Sequence, residues 1–153
     1  MKLRRATLDE MSDVARLYRH TVRTSLPFLP EMHTPEEDIA FFSERLYVTT
    51  EVWLAVDEAG DIEGYIAFKP DFIEHLFIRP ASQGQGVGVM LLAKAMAASR
   101  ELSLWTFQKN ARARRFYERH GFAVVMETDG QDNEEKEPDV LYRWRRSDDG
   151  AVA

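Results

Sequence analysis

From residue 72 to about residue 100 the chain passes from an apolar alternating segment, Phe72–Ile78, through Gln83-Gly84-Gln85-Gly86-Val87-Gly88, into a stretch where Val87, Leu91, Ala95 and Ala98 recur at helical spacing. A strand, a glycine-rich turn and a helix in direct succession constrain the fold more than any other part of the sequence. Glycines at 84, 86 and 88 let the backbone approach a ligand closely while the first helical N–H groups point outward. Such a turn holds a phosphate or diphosphate without a charged side chain. The bland reading is a flexible turn that permits tight helix packing, and the strand-turn-helix context favours the anion site over it.

Two familiar phosphate motifs fail on their letters. A P-loop needs Lys-Ser or Lys-Thr after its last glycine, and Gly88 is followed by Val89 and Met90. A dinucleotide fingerprint starting at Gly84 and Gly86 needs glycine where Val89 stands, and it belongs to the first strand of its unit. Here three or four strands come first.

Residues 2–6 read as a strand, and Thr7-x-x-Glu10 as a capping box opening a helix to about Thr24 with core stripe Leu8, Met11, Val14, Ala15, Leu17 and Tyr18. Pro27 and Pro30 stop it, leaving a loop with exposed bulk at Leu26, Phe28 and Leu29. Thr34-Pro35-Glu36-Glu37 opens a second helix carrying Ile39, Phe41, Phe42 and Leu46. Strands are expected at 52–57 and 62–69, joined by a hairpin loop, and at 72–78 after Pro70-Asp71. After the glycine turn come a helix to about Arg100, a strand at 102–107, a helix at 111–120 closed by Gly121, and strands at 122–128 and 140–144. The acidic stretch 129–138 reads as a solvated loop and the tail 147–153 as disordered, so 1–146 is expected to be one α/β domain.

Composition narrows the partners. A net charge of −6 and a pI near 5.3 argue against nucleic acid, although Lys109, Arg112, Arg114 and Arg115 form a local basic stretch that suits either a small anion or a solvated helix face. No apolar run approaches the length of a membrane span, and the N-terminus lacks an apolar leader. The absence of cysteine removes thiolate catalysis and fits a reducing compartment, so the cytoplasm is expected. His20, His33, His75 and His120 have no zinc-type spacing, and no metal is expected. The oligomeric state stays open, with a homodimer as one option.

The turn together with the downstream segment Asn110-x-x-Ala113-x-x-Phe116-Tyr117-x-x-x-Gly121-Phe122 resembles the GNAT superfamily of N-acetyltransferases. Gln83, Gly86 and Gly88 match its R/Q-x-x-G-x-G/A signature, and the resemblance runs from about Leu3 to Trp144. It implies a mixed, mostly antiparallel sheet of six to seven strands splayed at the fourth and fifth and flanked by about four helices. It also implies direct acetyl transfer from acetyl-CoA to a primary amine. By the same resemblance Gln83, Gly84, Gln85, Gly86, Val87, Gly88 and Val89 hold the pyrophosphate. Leu76, Phe77 and Ile78 pair with pantetheine, a backbone N–H near Ile78 meets the thioester oxygen, and Asn110 bonds the pantetheine arm or acetyl region. Tyr117 is the general acid.

An amine near pKa 10.4 must lose a proton before attack. Glu74, flanked by apolar residues on its strand, is the candidate base, with a Glu74 that pairs with an arginine or lies at the wet mouth of a cleft for substrate binding as the other reading. His75, on the opposite strand face, is its rival and reads more readily as a satisfied core histidine. Some family members carry a glutamate base where this chain has Trp105, so that mechanism is absent. The acceptor site implied by the resemblance involves loop 25–34 and segment 129–137, with Phe28, Glu31, His33, Glu74 and Trp105 as candidate substrate contacts and Asp129 and Glu134 adding negative charge. Two readings from other classes remain: a non-catalytic acyl-CoA-binding regulatory module, and a partner-binding domain using Leu26, Phe28 and Leu29.

Overall fold

The computed structural model describes residues 1–147, so residues 148–153 of the tail expected to be disordered lie outside it. Seven strands form one mixed sheet in the order β1-β2-β3-β4-β5-β7-β6. They are β1 (Lys2–Arg5), β2 (Glu51–Val56), β3 (Ile62–Lys69), β4 (Phe72–Ile78), β5 (Glu101–Phe107), β6 (Ala123–Thr128) and β7 (Asp139–Arg145). The main helices are α1 (Met11–Ser25), α2 (Pro35–Phe41), α4 (Val87–Ala98) and α5 (Ala111–Arg119), with a one-turn α3 at Tyr47–Thr49. β1–β2, β2–β3, β5–β7 and β7–β6 pair antiparallel, whereas β4 and β5 are parallel with Phe72 opposite Ser103. The chain separates into two compact units, Met1–Lys69 with Ile73–Ala95, and Pro70–Phe72 with the chain from Met96 onward.

In the first unit, Met11, Val14, Ala15 and Leu17 of α1 meet Phe42, Leu46, Val52, Leu54, Tyr65 and Ala67 in one apolar core. Full burial of a side chain such as Leu54 is worth roughly 1.5–3 kcal/mol. Leu8, expected in the stripe, is exposed, because a 3-10 turn at Leu8–Glu10 precedes α1 and takes it off the helical face. The second capping box forms as expected: the Glu37 amide donates to Thr34 Oγ1 and the Thr34 amide to Glu37 Oε1. Beyond Phe41 the helix widens into a π turn, Phe42–Leu46, which buries Phe42 and Leu46 and leaves Phe41 exposed. Leu26 is buried and Phe28 and Leu29 are partly buried, so the loop after α1 does not present the apolar bulk expected of it.

The second unit is built on alternation. Leu102 and Leu104 of β5 and Val140, Tyr142 and Trp144 of β7 are buried on one face, where Tyr117 and Phe122 join them. Within α4, whose residues up to Ala95 belong to the first unit, Leu91, Leu92, Ala95 and Met96 are each buried, whereas Ala98, expected on the inner face, is exposed.

Candidate functional site

In the first unit the segment from β4 to α4 is held by its neighbour β3. Gly64 lies mid-strand, and a Cβ there would stand 2.8 Å from Ile78 Cδ1 and 3.0 Å from the Phe77 carbonyl oxygen. The missing side chain thus lets β3 lie against the end of β4. Next to it, the Arg79 amide donates to the Glu63 carbonyl (2.8 Å) and the Arg79 guanidinium to the Ile62 carbonyl (2.7 Å). Ser82 Oγ donates to Glu63 Oε2 (2.5 Å), and Arg79 Nε lies 3.4 Å from the same carboxylate oxygen. One glutamate therefore braces both ends of the 79–82 segment that leads into the turn.

Gln83 turns its amide inward, donating to the Ile78 carbonyl (3.1 Å) and Ser25 Oγ (3.4 Å). Gly84 and Gly86 then adopt φ values of 78° and 84°, conformations that cost an L side chain about 1–2 kcal/mol. The Met90 amide donates to the Gly86 carbonyl, which leaves the amides of Val87, Gly88 and Val89 ahead of the first intrahelical bond. Nothing lies within 4 Å of where a Gly86 Cβ would be, so the bend is not filled by the chain's own side chains at that point. Unsatisfied amides, positive helix-dipole charge and an open bend suit a diphosphate.

On β4, Glu74 is exposed and its Oε1 lies 3.0 Å from Lys69 Nζ, an ion pair with lysine where the sequence suggested an arginine. His75, on the other face, shares a 2.8 Å hydrogen bond between its Nδ1 and the hydroxyl of the fully buried Tyr65. Its ring stacks on Tyr18 and meets Phe42 and Phe77 edge-on. Burial lowers its pKa from 6.5 to about 4. The core-histidine reading of His75 fits this setting.

A pH dependence follows. An unfolded histidine takes up its proton near pH 6.5 and folded His75 only near pH 4, so between these values the unfolded chain binds more protons. The stabilisation from a neutral His75 is whole above pH 6.5 and is lost as pH falls toward 4. Urea unfolding at pH 5 is expected to give a free energy roughly 2 kcal/mol below that at pH 7.5. His75→Gln, which stays neutral, should lack most of that drop; an unchanged drop would assign it to other groups.

Around the loop after α1, Glu31 is already engaged by Arg23 (2.7 Å) and Arg19 (3.6 Å), and Arg19 also pairs with Asp38 (2.9 Å). The His33 carbonyl accepts from Arg19 (3.0 Å). Glu31 and His33 thus shape the loop, and the negative charge of Glu31 is largely matched.

In the second unit Asn110 caps α5, its Oδ1 accepting from the Ala113 amide (3.2 Å). Tyr117 is buried against Phe116, Phe122 and Tyr142, and among the described residues its hydroxyl has no hydrogen-bond partner. Burial pushes the phenol above its ordinary pKa, so it carries its proton throughout the neutral range. Trp105 is 43% exposed on β5, which excludes it from the core. Of the basic stretch, Arg114 is committed to Tyr142, Glu118 and Glu127, and Lys109 lies 3.5 Å from Glu137; Arg112 and Arg115 are exposed. Segment 129–138 is more ordered than a solvated loop: Asn133 Nδ2 donates to the Glu137 carbonyl and to Asp139, and Lys136 Nζ to the Gln131 carbonyl.

The Glu63, Arg79 and Ser82 brace was missed in the sequence, where only the mid-strand Gly64 signalled a close approach. Among the described residues no group of three His, Cys, Asp or Glu is placed to hold a metal ion, and no helix is long and apolar enough to cross a membrane.

Residues 48–124 match the family model described as an acetyltransferase (GNAT) domain. A peptidyl-lysine N-acetyltransferase, YjaB of Salmonella typhimurium, is 26% identical over 135 residues, covering 86% of this chain and 90% of its own length. Among solved structures, apo YjaB of Escherichia coli superposes with a TM-score of 0.77 at 23% identity, over 94% of this chain and 96% of that one. The PaiA N-acetyltransferase of Thermoplasma acidophilum, solved in complex with coenzyme A, gives 0.76 at 17% identity, over 94% and 98%.

Proposed function

The chain belongs to the GNAT family of N-acetyltransferases, and on that premise we propose that it carries acetyl from acetyl-CoA directly onto a primary amine, using residues 1–146 as a single catalytic domain. The observation that carries the coenzyme assignment is the open bend at Gly84–Gly86 ahead of α4, whose leading amides have no intrahelical acceptor. Bound acetyl-CoA supplies an activated thioester. Gln83 to Val89 grip the diphosphate by main-chain amides, and the backbone of Leu76, Phe77 and Ile78 aligns the pantetheine arm, with Asn110 bonding it further along. An N–H near Ile78 donates to the carbonyl oxygen as charge gathers there.

As the C–N bond forms and the C–S bond breaks, the amine proton passes to Glu74, directly or through water. The departing sulfur takes a proton from Tyr117, whose ring is buried and whose hydroxyl is otherwise unbonded among the described residues. Phe28 and Trp105 contribute apolar surface to the acceptor side, where Glu31, His33 and Glu74 add polar contacts. A lysine side chain is the acceptor we favour, because the similar YjaB acts on peptidyl-lysine. The chain's lack of cysteine supports placing this activity in the cytoplasm.

Thermal shift with acetyl-CoA followed by thiol release across an amine panel tests the reading. Stabilisation with turnover is expected. Stabilisation with no turnover on any amine would favour the non-catalytic acyl-CoA-binding module, and no shift would overturn both. Glu74→Gln should remove the acidic limb of the pH–rate profile and lower kcat by about tenfold or more. An unaltered profile would strip Glu74 of the base role.

A further inference from the structure

β6 is the last strand in the sheet order, paired with β7 on one side only. Its residues Ala123 to Glu127 are all exposed, and Val124, Val125 and Met126 keep 46%, 44% and 48% of their surface. A free strand edge is a template for another strand, and proteins usually blunt it with lysine, proline or inward charge. β6 has no lysine or proline, and its one charge, Glu127, is drawn to Arg114 of α5. Its one irregularity, a register shift between Val124 and Met126, takes Val125 out of the ladder with β7. That makes contact through side chains and a few backbone pairs a better fit than an unbroken ladder. The apolar surface also extends inward, because Met126 is in register with Leu141 and Leu141 with exposed Trp105, a row that crosses three strands.

Charge at the two ends of β6 identifies what covers it. At its start lie exposed Arg119 and, opposite Ala123, Arg143; Arg143 and Arg145 share the carboxylate of Glu101, so the start keeps net positive charge. At its end follow exposed Asp129, Asp132 and Glu134. A strand with cations before it, apolar residues along it and carboxylates after it is complementary to a copy of itself run antiparallel about a two-fold axis. Each start then meets the other's end. A polyanion would be repelled at one end of the strand and a polycation at the other.

We propose that β6 is the seat of a symmetric homodimer, with a second copy of this chain laying its own β6 antiparallel alongside. The contact is isologous, with Val125 near the axis and Arg119 of each copy facing the acidic segment of the other. It stands independently of the catalytic assignment.

Sedimentation equilibrium on the full chain, free of ligands, tests it. The wild type should have the mass of a dimer in the micromolar range. Val125→Lys, which sets two like charges beside the axis, should raise the dissociation constant by at least about tenfold with its circular dichroism and melting temperature retained. Should that variant misfold, Met126→Lys supplies the same reading. Arg119→Glu and Asp132→Arg should each weaken the dimer, and the double variant should recover part of the loss. A monomer at roughly 100 μM would overturn the proposal, as would a dimer unaffected by charge at 125 and 126 or by both reversals at 119 and 132.

Discussion

Gly86→Asp is expected to abolish useful binding of acetyl-CoA, lowering affinity by at least about a hundredfold, while the protein remains folded. The room for the new side chain exists, since nothing lies within 4 Å of the Cβ position. Aspartate also tolerates a positive φ better than most residues, so the strain at 84° stays near 1–2 kcal/mol. The loss comes from placing a carboxylate where the leading amides of α4 would otherwise face a diphosphate, and repulsion between like charges is strong close to a helix N-terminus shielded from water. Calorimetric titration checks it, with Gly86→Ala as the control that carries the backbone strain and no charge. Alanine should cost far less than aspartate. Equal losses would trace the effect to backbone geometry, and an unchanged affinity for Gly86→Asp would remove the turn from the coenzyme site.

Tyr117→Phe is expected to lower kcat by about a hundredfold, within the range for loss of a general acid, and to change the KM for acetyl-CoA by less than about threefold. The substitution deletes one oxygen whose hydroxyl has no partner among the described residues, so the packing against Phe122 and Tyr142 survives and Tm should hold. A structural tyrosine would show the reverse, a loss of stability with kcat retained. Steady-state kinetics with thermal melting separates the two, and wild-type kcat in a folded Phe variant would end the acid assignment.

Local signals carried the fold. Strands β3 and β4 fall at their expected bounds, because alternation and the flanking turn residues are contiguous in sequence. The box at Thr34 and Glu37 and the glycine closing α5 at φ 91° were readable for the same reason. What escaped involves partners far apart in the chain or shifts of a helical face. Leu8 left its stripe because a 3-10 turn precedes α1, and Leu26 is buried although it sits between exposed Ser25 and Pro27. For the candidate site, the residue types and order at 83–89 and 110–122 were legible, whereas the Lys69 partner of Glu74 and the two arginines on Glu31 were not. Glu63 and Ser82 are nineteen positions apart, and no periodicity announces a bond between them.

The bare backbone at Gly64 has a wider bearing. Ile78, whose neighbourhood is assigned the thioester oxygen, touches that vacancy on one side, and the Leu91 side chain reaches to 3.4 Å of the same point from α4. On the proposed assignment, alignment of the reacting carbonyl is geared to interior volume: a methyl group gained at 64, or bulk gained at 91, would lever the strand tip without touching either substrate. Variants of this kind would pass every binding assay for the diphosphate and still turn over slowly, so sluggish mutants of this enzyme should be sought in its interior as well as at its glycine turn.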